Sequence, residues 1–298
     1  MLWLMLLFLN AGPAQDAEEK VEEPKTNKFK ETELKWRSEH EAAMKDEDSW
    51  LNLVGLFFLK EGANPFGSSM DIRISLPLHS TVEKAGVFFL EDGKVRYEMG
   101  KAQRALLDGK LAPSGILSEG KVLAHNHLRM FIIERGGRIA LRVRDLRARD
   151  YVVFDSLNFY RPKPKYVVEG TFKPFDPPKE ITVTTVISTE ITLLTPGVIQ
   201  FEYNGQQLEL LPTLESMEDK QYLVMFQDQT SGKTTYSGGR FLYIDPPDEN
   251  GKVILNFNRA VNPPCAYTVY ATCPLPPSEN WLDVALEAGE RSYQEHQE

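Results

Sequence analysis

Cysteine and positive charge are both scarce in this sequence. Its 298 residues include 2 cysteines, too few for a disulfide framework and too few by themselves for a structural zinc site. The 34 Lys and Arg residues are outnumbered by 43 Asp and Glu residues, which gives a formal net charge of -9. This balance argues against a nucleic-acid partner and against binding to anionic lipid. The remaining composition, 42% hydrophobic and 26% charged, is typical of a globular protein.

The apolar run at the N-terminus is short. Met1 to Leu9 is almost entirely apolar, but a membrane-spanning helix needs about 20 such residues. The small residues Gly12 and Ala14 follow this run, so residues 1–14 are predicted to be a signal peptide, although no Lys or Arg precedes the run. We therefore expect an exported protein, periplasmic or secreted, with no membrane span in the mature chain.

Turn dipeptides divide most of the chain into short strands. Asp92-Gly93, Gly136-Gly137 and Asn204-Gly205 each separate two runs of β-branched, aromatic or aliphatic residues. Such dipeptides accept the positive φ that tight hairpins need. No helical pattern alternates with the strands, which excludes a parallel α/β fold. The predicted fold class is mainly β, with antiparallel sandwich or barrel-like sheets.

Helices are expected only at the two ends of the folded chain. A charged linker over residues 15–26 leads into a helix-compatible segment, residues 27–48. A short C-terminal helix is predicted to begin at Ser278 and to stop at Gly289. Residues 27–298 are predicted to form a single β-rich domain, and the proline-rich segments 161–165 and 174–179 are the candidate boundaries if there are two domains.

The densest polar segment runs from Gln227 to Arg240, between two apolar strands. Its Gly232-Lys233-Thr234 triplet resembles the end of a phosphate-binding loop, but that motif needs glycine at position 227 and a following helix. An aspartic protease is excluded as well, because no second copy supplies the paired carboxylate. An acid, several hydroxyls, a phenol and an arginine nevertheless lie on this one connection, and loops on a rigid sheet commonly carry functional sites.

A second unusual segment runs from Asn258 to Cys273. Its two prolines, Pro263 and Pro264, fix the backbone. Cys265 and Cys273 can form a disulfide if the residues between them turn back. Buried inert thiols are an alternative, and so is a nucleophile or metal ligand, although a catalytic thiol needs a base nearby.

Charges of both signs are concentrated between Arg142 and Asp150. This stretch contains four arginines and two aspartates. The mixture favours a local ion-pair surface over an anion site.

Several strings in the chain resemble one known family. They span roughly Trp36 to Tyr293 and include Trp50-Leu51-x-Leu53-x-Gly55-Leu56, Asp228-x-Thr230-Ser231-Gly232, Gly239-Arg240-Phe241-Leu242, Asn262-Pro263-Pro264-Cys265-Ala266 and Ala288-Gly289-Glu290. In these strings the chain is similar to the domain-of-unknown-function family 1684, DUF1684. That resemblance implies no established reaction, cofactor or substrate. We predict no cofactor and no metal site.

The polar connection and the second segment are predicted to meet and to form a pocket for a small polar or anionic molecule. In this hypothesis Arg240 holds the anionic group, and three residues are hypothetical catalytic groups for proton transfer: Asp228, Tyr236 and Glu290. The other ligand-binding candidates are Thr230, Ser231, Asn258 and Asn262.

Three functional hypotheses share these residues. The first is a binding module without turnover, and the alternative is an acid-base enzyme of the hydrolase type. A third makes the same residues a hydrogen-bond network that braces loops. A buried Asp228 paired with Arg240, with no adjoining cavity, would favour the third hypothesis.

Overall fold

The computed structural model describes residues 23–214 and 216–293. The expected signal peptide, residues 1–14, lies outside them, as does most of the expected linker. Helix α1 (Glu23–Ala43) begins and ends earlier than the predicted helix. It contacts the rest of the fold through Glu33, which accepts hydrogen bonds from Asn256 and Arg259.

The N-terminal lobe consists of eleven strands in two sheets among the described residues. Their order is β1-β11-β10-β9-β6-β7 in one sheet and β3-β2-β4-β5-β8 in the other. The strands are β1 (Leu53–Phe58), β2 (Gly62–Gly67), β3 (Ile74–Ser75), β4 (Gly86–Glu91), β5 (Lys94–Met99), β6 (Leu106–Leu107), β7 (Lys110–Leu111), β8 (Ser114–Ile116), β9 (Leu123–His125), β10 (Leu128–Arg135) and β11 (Arg138–Asp145). The two sheets share one apolar core, which includes Phe66, Phe88 and Leu141.

The C-terminal lobe, residues 166–290, follows the short helix α2 (Arg149–Val152). It includes a four-stranded sheet in the order β14-β13-β12-β17 and a two-stranded sheet, β15-β16. The strands are β12 (Val167–Thr184), β13 (Glu190–Tyr203), β14 (Gln206–Leu210), β15 (Tyr222–Phe226), β16 (Arg240–Ile244) and β17 (Lys252–Asn256). Their own core includes Ile199, Phe226 and Phe257. A smaller cluster with Leu51, Phe154 and Tyr267 bridges the two lobes.

The mainly β, antiparallel fold class is confirmed, and so are the three hairpins. The dipeptides Asp92-Gly93, Gly136-Gly137 and Asn204-Gly205 all have positive φ and join β4 to β5, β10 to β11 and β13 to β14. Of the two candidate boundaries, residues 161–165 precede β12, and residues 174–179 lie inside β12, where the pairing with β13 shifts register between Pro174 and Lys179.

The predicted C-terminal helix is wrong. Only one 3-10 turn, Ser278–Asn280, forms there, and the following chain is not helical. From Leu282 to Ala288 buried and exposed residues alternate strictly, with Leu282, Val284, Leu286 and Ala288 in the core of the C-terminal lobe. An alternating pattern buries one face of an extended chain, whereas a helix would place these four side chains on different faces.

Candidate functional site

The connection between β15 and β16 is folded by its own polar side chains. Asp228 Oδ1 accepts hydrogen bonds from the Thr230 backbone N–H at 2.9 Å and from the Thr230 hydroxyl at 2.5 Å. Thr230 also contacts the Thr235 hydroxyl at 2.9 Å, and Ser231 Oγ accepts from the Asp228 N–H at 3.2 Å. Such local bonds close turns. The hydroxyls of Thr230 and Ser231 thus have partners inside the loop.

Asp228 and Arg240 form a buried ion pair. Arg240 Nη2 lies 2.9 Å from Asp228 Oδ2, and the two side chains are 1% and 0% exposed. Arg240 also donates to the carbonyls of Leu286 and Ala288, and the Leu286 N–H donates to Asp228 Oδ2 at 2.9 Å. Burial lowers the pKa of Arg240, and the nearby Asp228 carboxylate opposes that shift. The pair therefore fastens the extended segment 282–288 to the β15–β16 connection.

Glu290 lies in a second cluster with Asn262 and Tyr267. Its Oε1 accepts from the Tyr267 hydroxyl at 2.5 Å and from Asn262 Nδ2 at 2.9 Å, and its Oε2 accepts from the Asn262 N–H at 2.9 Å. Burial raises the pKa of Glu290 to about 7, although these hydrogen bonds and the charge of Arg240 favour the ionised form. The other titratable neighbours are His40, whose Nε2 lies 4.0 Å from Oε2, and Tyr293.

Replacing Glu290 with glutamine is expected to remove a pH dependence of folding stability. The pKa of this carboxyl is about 7 in the folded chain and 4.5 as a reference value, so the native state holds the proton more tightly. Its contribution to stability is complete below pH 4.5 and is lost as pH rises to about 7, a change of about 3 kcal/mol. Urea unfolding of wild type and Glu290→Gln from pH 4.5 to 8 measures it.

The difference between the two proteins isolates Glu290 from His40, whose pKa is lowered by burial and which acts in the opposite direction. The exposed Glu287→Gln variant is the matched control and should follow the wild-type curve. Parallel curves for wild type and Glu290→Gln would contradict the prediction.

The remaining predicted site residues lie elsewhere. Tyr236 donates from its hydroxyl to the Cys265 carbonyl at 3.3 Å, and burial raises its pKa. Asn258 is fully buried, and its amide group bonds to both the N–H and the carbonyl of Lys163. The structure thus brings Asp228, Thr230, Ser231 and Arg240 together in one cluster and Asn262 with Glu290 in another. Tyr236 and Asn258 belong to neither cluster.

Cys265 and Cys273 are in contact as free thiols. The chain between them turns back as expected, and the Cys265 N–H donates to Cys273 Sγ at 3.1 Å. The hydrogen bond between the two thiols lowers the pKa of Cys265 and raises that of Cys273. The disulfide stays a prediction.

A groove that the sequence did not indicate lies between the two lobes. Its volume is about 770 Å³, and it is lined by Leu51, Leu53, Val54, residues 75–77, Asp145, residues 147–150 and residues 267–270. Tyr267 links it to the Glu290 cluster, because this residue lines the groove and its hydroxyl donates to the buried carboxylate. Asp228 and Arg240 line neither this groove nor the smaller one beside β5 and β10. Their predicted roles in a ligand site stay predictions, and their geometry supports bracing.

Arg147 and Arg149 are the exposed cationic residues of the interlobe groove. Neither guanidinium has a hydrogen bond or ion pair within residues 23–214 and 216–293. The carboxylate of Asp145 is already engaged, since it accepts from the Arg147 N–H at 2.7 Å and lies 3.5 Å from His127 Nε2. Asp150 lines the groove as well, so its charged lining is mixed, and the two arginines are its guanidinium groups without a partner among the described residues.

Comparison with known proteins gives a family and no activity. A family model described as a protein of unknown function (DUF1684) matches residues 152–291. An uncharacterised protein of Haloarcula marismortui, solved by solution NMR, is 32% identical, with a TM-score of 0.42, and the match covers 49% of this chain and 82% of that protein. No curated protein matches the sequence.

Two solved FHA domains are more distant matches. The FHA-2 domain of the Mycobacterium tuberculosis ABC transporter Rv1747 is 18% identical, with a TM-score of 0.23, over 28% of this chain and 77% of that domain. The FHA domain of FhaA, solved with the intracellular domain of Rv3910, is 16% identical, with a TM-score of 0.23, over 30% of this chain and 86% of that one. Among the described residues of our chain, no helix combines the length and apolar character needed to cross a membrane.

Proposed function

This chain belongs, over residues 152–291, to the DUF1684 family of proteins of unknown function, and we propose that it binds a small organic anion in the interlobe groove. The observation that carries the proposal is the pair of exposed arginines, Arg147 and Arg149, beside an apolar wall in a groove of about 770 Å³. That volume is in the range of sites for metabolite-sized ligands, about 300–1,000 Å³.

The lining of the groove divides into an apolar part and a charged part that contains the two arginines. Val54 and Pro77 are partly exposed to the groove above the buried Leu51, Leu53 and Leu76, and Val269 is 83% exposed. Guanidinium groups bind carboxylate and phosphate oxygens through paired hydrogen bonds. A ligand with an anionic group and a compact apolar body would match both parts of the groove.

Replacing both Arg147 and Arg149 with alanine is expected to weaken anion binding without changing the fold. Each charge-assisted hydrogen bond is worth about 1.5–3 kcal/mol, so the double variant should lose at least about tenfold in affinity. Phenyl phosphate is a suitable probe, and benzyl alcohol tests the apolar part alone. Isothermal titration calorimetry on the full chain measures both.

The exposed Arg161, outside the groove lining, provides the matched control, and Arg161→Ala should bind phenyl phosphate as wild type does. Equal binding by the double variant, or no binding by wild type, would contradict the proposal. Hydrolysis of phenyl phosphate that is lost in Glu290→Gln would instead favour the alternative of an acid-base enzyme, for which the raised pKa of Glu290 is the supporting observation.

A further inference from the structure

Arg142 occupies an unusual position on β11. Successive side chains of a strand point to opposite faces, and Leu141 and Val143 are in the core of the N-terminal lobe. Arg142 and Arg144 therefore lie on the other face, with Phe131 of β10 opposite Arg142. Arg142 is nevertheless only 6% exposed. The ring of Trp50 lies 5.5 Å from Arg142 Cζ, and the Cys273 thiol is near enough to act on the charge of Arg142.

The Arg142 guanidinium has no acidic partner among residues 23–214 and 216–293. Its Nε is buried without a hydrogen-bond partner, and no ion pair involves this residue within the described part of the chain. The groups that act on its charge are Arg135, Arg144 and the thiol of Cys273, none of them a carboxylate. Burial first, and then the two neighbouring arginines, lower its pKa to about 10. A buried cation beside two others is unfavourable unless an anion compensates it.

The partners of the two neighbouring arginines do little to compensate the charge of Arg142. Arg144 pairs with Asp48 on the outer side, and Arg135 donates from Nε to the Thr272 hydroxyl at 3.2 Å. The expected ion-pair surface between Arg142 and Asp150 does not include Arg142. Asp145 is an odd number of residues from both Arg142 and Arg144, so the alternation of β11 places it on the opposite face, where it bonds to Arg147 and lies near His127.

We propose that the cationic junction, defined as Arg135, Arg142 and Arg144, binds a small tetrahedral oxyanion such as phosphate or sulfate between the N-terminal sheet and the segment around Thr272 and Cys273. Arg142 is the central ligand and the other two arginines flank it. The planar fork of a guanidinium matches the oxygens of such an anion. This site is separate from the interlobe groove, whose lining does not include these arginines. The proposal does not depend on the proposed function.

Thermal unfolding of the full chain with inorganic phosphate tests the junction, with sodium chloride added to keep the ionic strength equal. Phosphate should raise the Tm of wild type by a few degrees in a saturable way. Arg142→Met should lose this response and, in phosphate-free buffer, should unfold at the same temperature as wild type or above it, because a buried uncompensated charge has been removed. Arg142→Lys keeps the charge without the fork and should bind phosphate about tenfold more weakly.

Two control variants distinguish phosphate binding at the junction from phosphate binding elsewhere on the protein. Arg138 lies on the same face of β11 and is exposed over the Phe58 ring, so Arg138→Met should keep the full phosphate response. The double variant Arg147→Ala/Arg149→Ala should keep the part of the response that Arg142→Met loses, which distinguishes the junction from the groove. No saturable response in wild type would overturn the proposal. An Arg142→Met protein that unfolds at a lower temperature and still responds to phosphate would also overturn it and would show that Arg142 only packs.

Discussion

Replacing Asp228 with asparagine is expected to lower the free energy of unfolding by about 3–5 kcal/mol, because it leaves the Arg240 guanidinium buried without a counter-charge. Asp228 Oδ2 accepts from Arg240 and from the Leu286 N–H, each at 2.9 Å. If the asparagine oxygen keeps the bonds to Thr230, its NH₂ group faces these two donors. The variant then loses a charge and two acceptors in a site from which water is excluded. Since whole domains are stable by only about 5–15 kcal/mol, this is a large fraction of the total.

Urea unfolding followed by circular dichroism measures the effect. The matched control is Glu169→Gln, which removes a carboxylate from an exposed ion pair with Lys252, where the side chains are 63% and 45% exposed. Exposed pairs contribute about 0–1 kcal/mol, so this control should stay close to wild type. Equal losses in Glu169→Gln and Asp228→Asn would show that the buried pair is not a brace.

The double variant Asp228→Asn/Arg240→Met tests whether the loss comes from the uncompensated charge. Removing Arg240 from the Asp228→Asn protein also removes the buried cation, so the combined destabilisation should be smaller than the sum of the two single losses. Additive losses would instead indicate that the two side chains act through separate contacts, such as those of Arg240 with the Leu286 and Ala288 carbonyls.

The three hairpins could be predicted because the residue types within each turn determine its backbone conformation. Asn204-Gly205 adopts positive φ in the turn between β13 and β14, as the two residue types allow by themselves. The prediction of a C-terminal helix is wrong although the alternation from Leu282 to Ala288 is local too. Ser278 and Gly289 suggest helix ends, whereas the alternating pattern decides the structure, because it buries four side chains in the core of the C-terminal lobe.

The candidate site is only partly predictable, for a physical reason. Asp228 and Arg240 lie on one connection, so their proximity follows from the hairpin that β15 and β16 form. Their burial depends on the extended segment 282–288, for which the end signals at Ser278 and Gly289 predict a helix. The interlobe groove brings together four ranges far apart in sequence, and no single stretch carries a pattern for it. The isolation of Arg142 could have been found from the alternation of β11, which separates it from Asp145.

Gly289→Ala is expected to destabilise the fold by about 2–5 kcal/mol, because both the backbone angle and the space around Gly289 require glycine. Its φ is +72°, and an added Cβ would lie 2.5 Å from the Ala260 carbonyl oxygen and 2.8 Å from that of Phe257. The left-handed angle costs alanine about 1–2 kcal/mol, and overpacking adds about 1–3 kcal/mol. The backbone cannot shift freely, since the Glu290 N–H donates to the same Ala260 oxygen at 2.8 Å and the Gly289 carbonyl accepts from the Tyr160 N–H at 2.9 Å.

Gly205→Ala is the matched control for this substitution. Gly205 has φ +76° and no atom within 4 Å of an added Cβ, so Gly205→Ala has only the energetic cost of the left-handed backbone angle. The free energies of unfolding of the two variants in urea should therefore differ by about 1–3 kcal/mol. A shift of Ala260 and Glu290 would also change the burial of the Glu290 carboxyl, so Gly289→Ala should weaken the fall in stability between pH 4.5 and 7 whereas Gly205→Ala should not. Equal destabilisation of the two variants, with the pH dependence intact in both, would show that the close contact of Gly289 with Ala260 does not hold Glu290 in place.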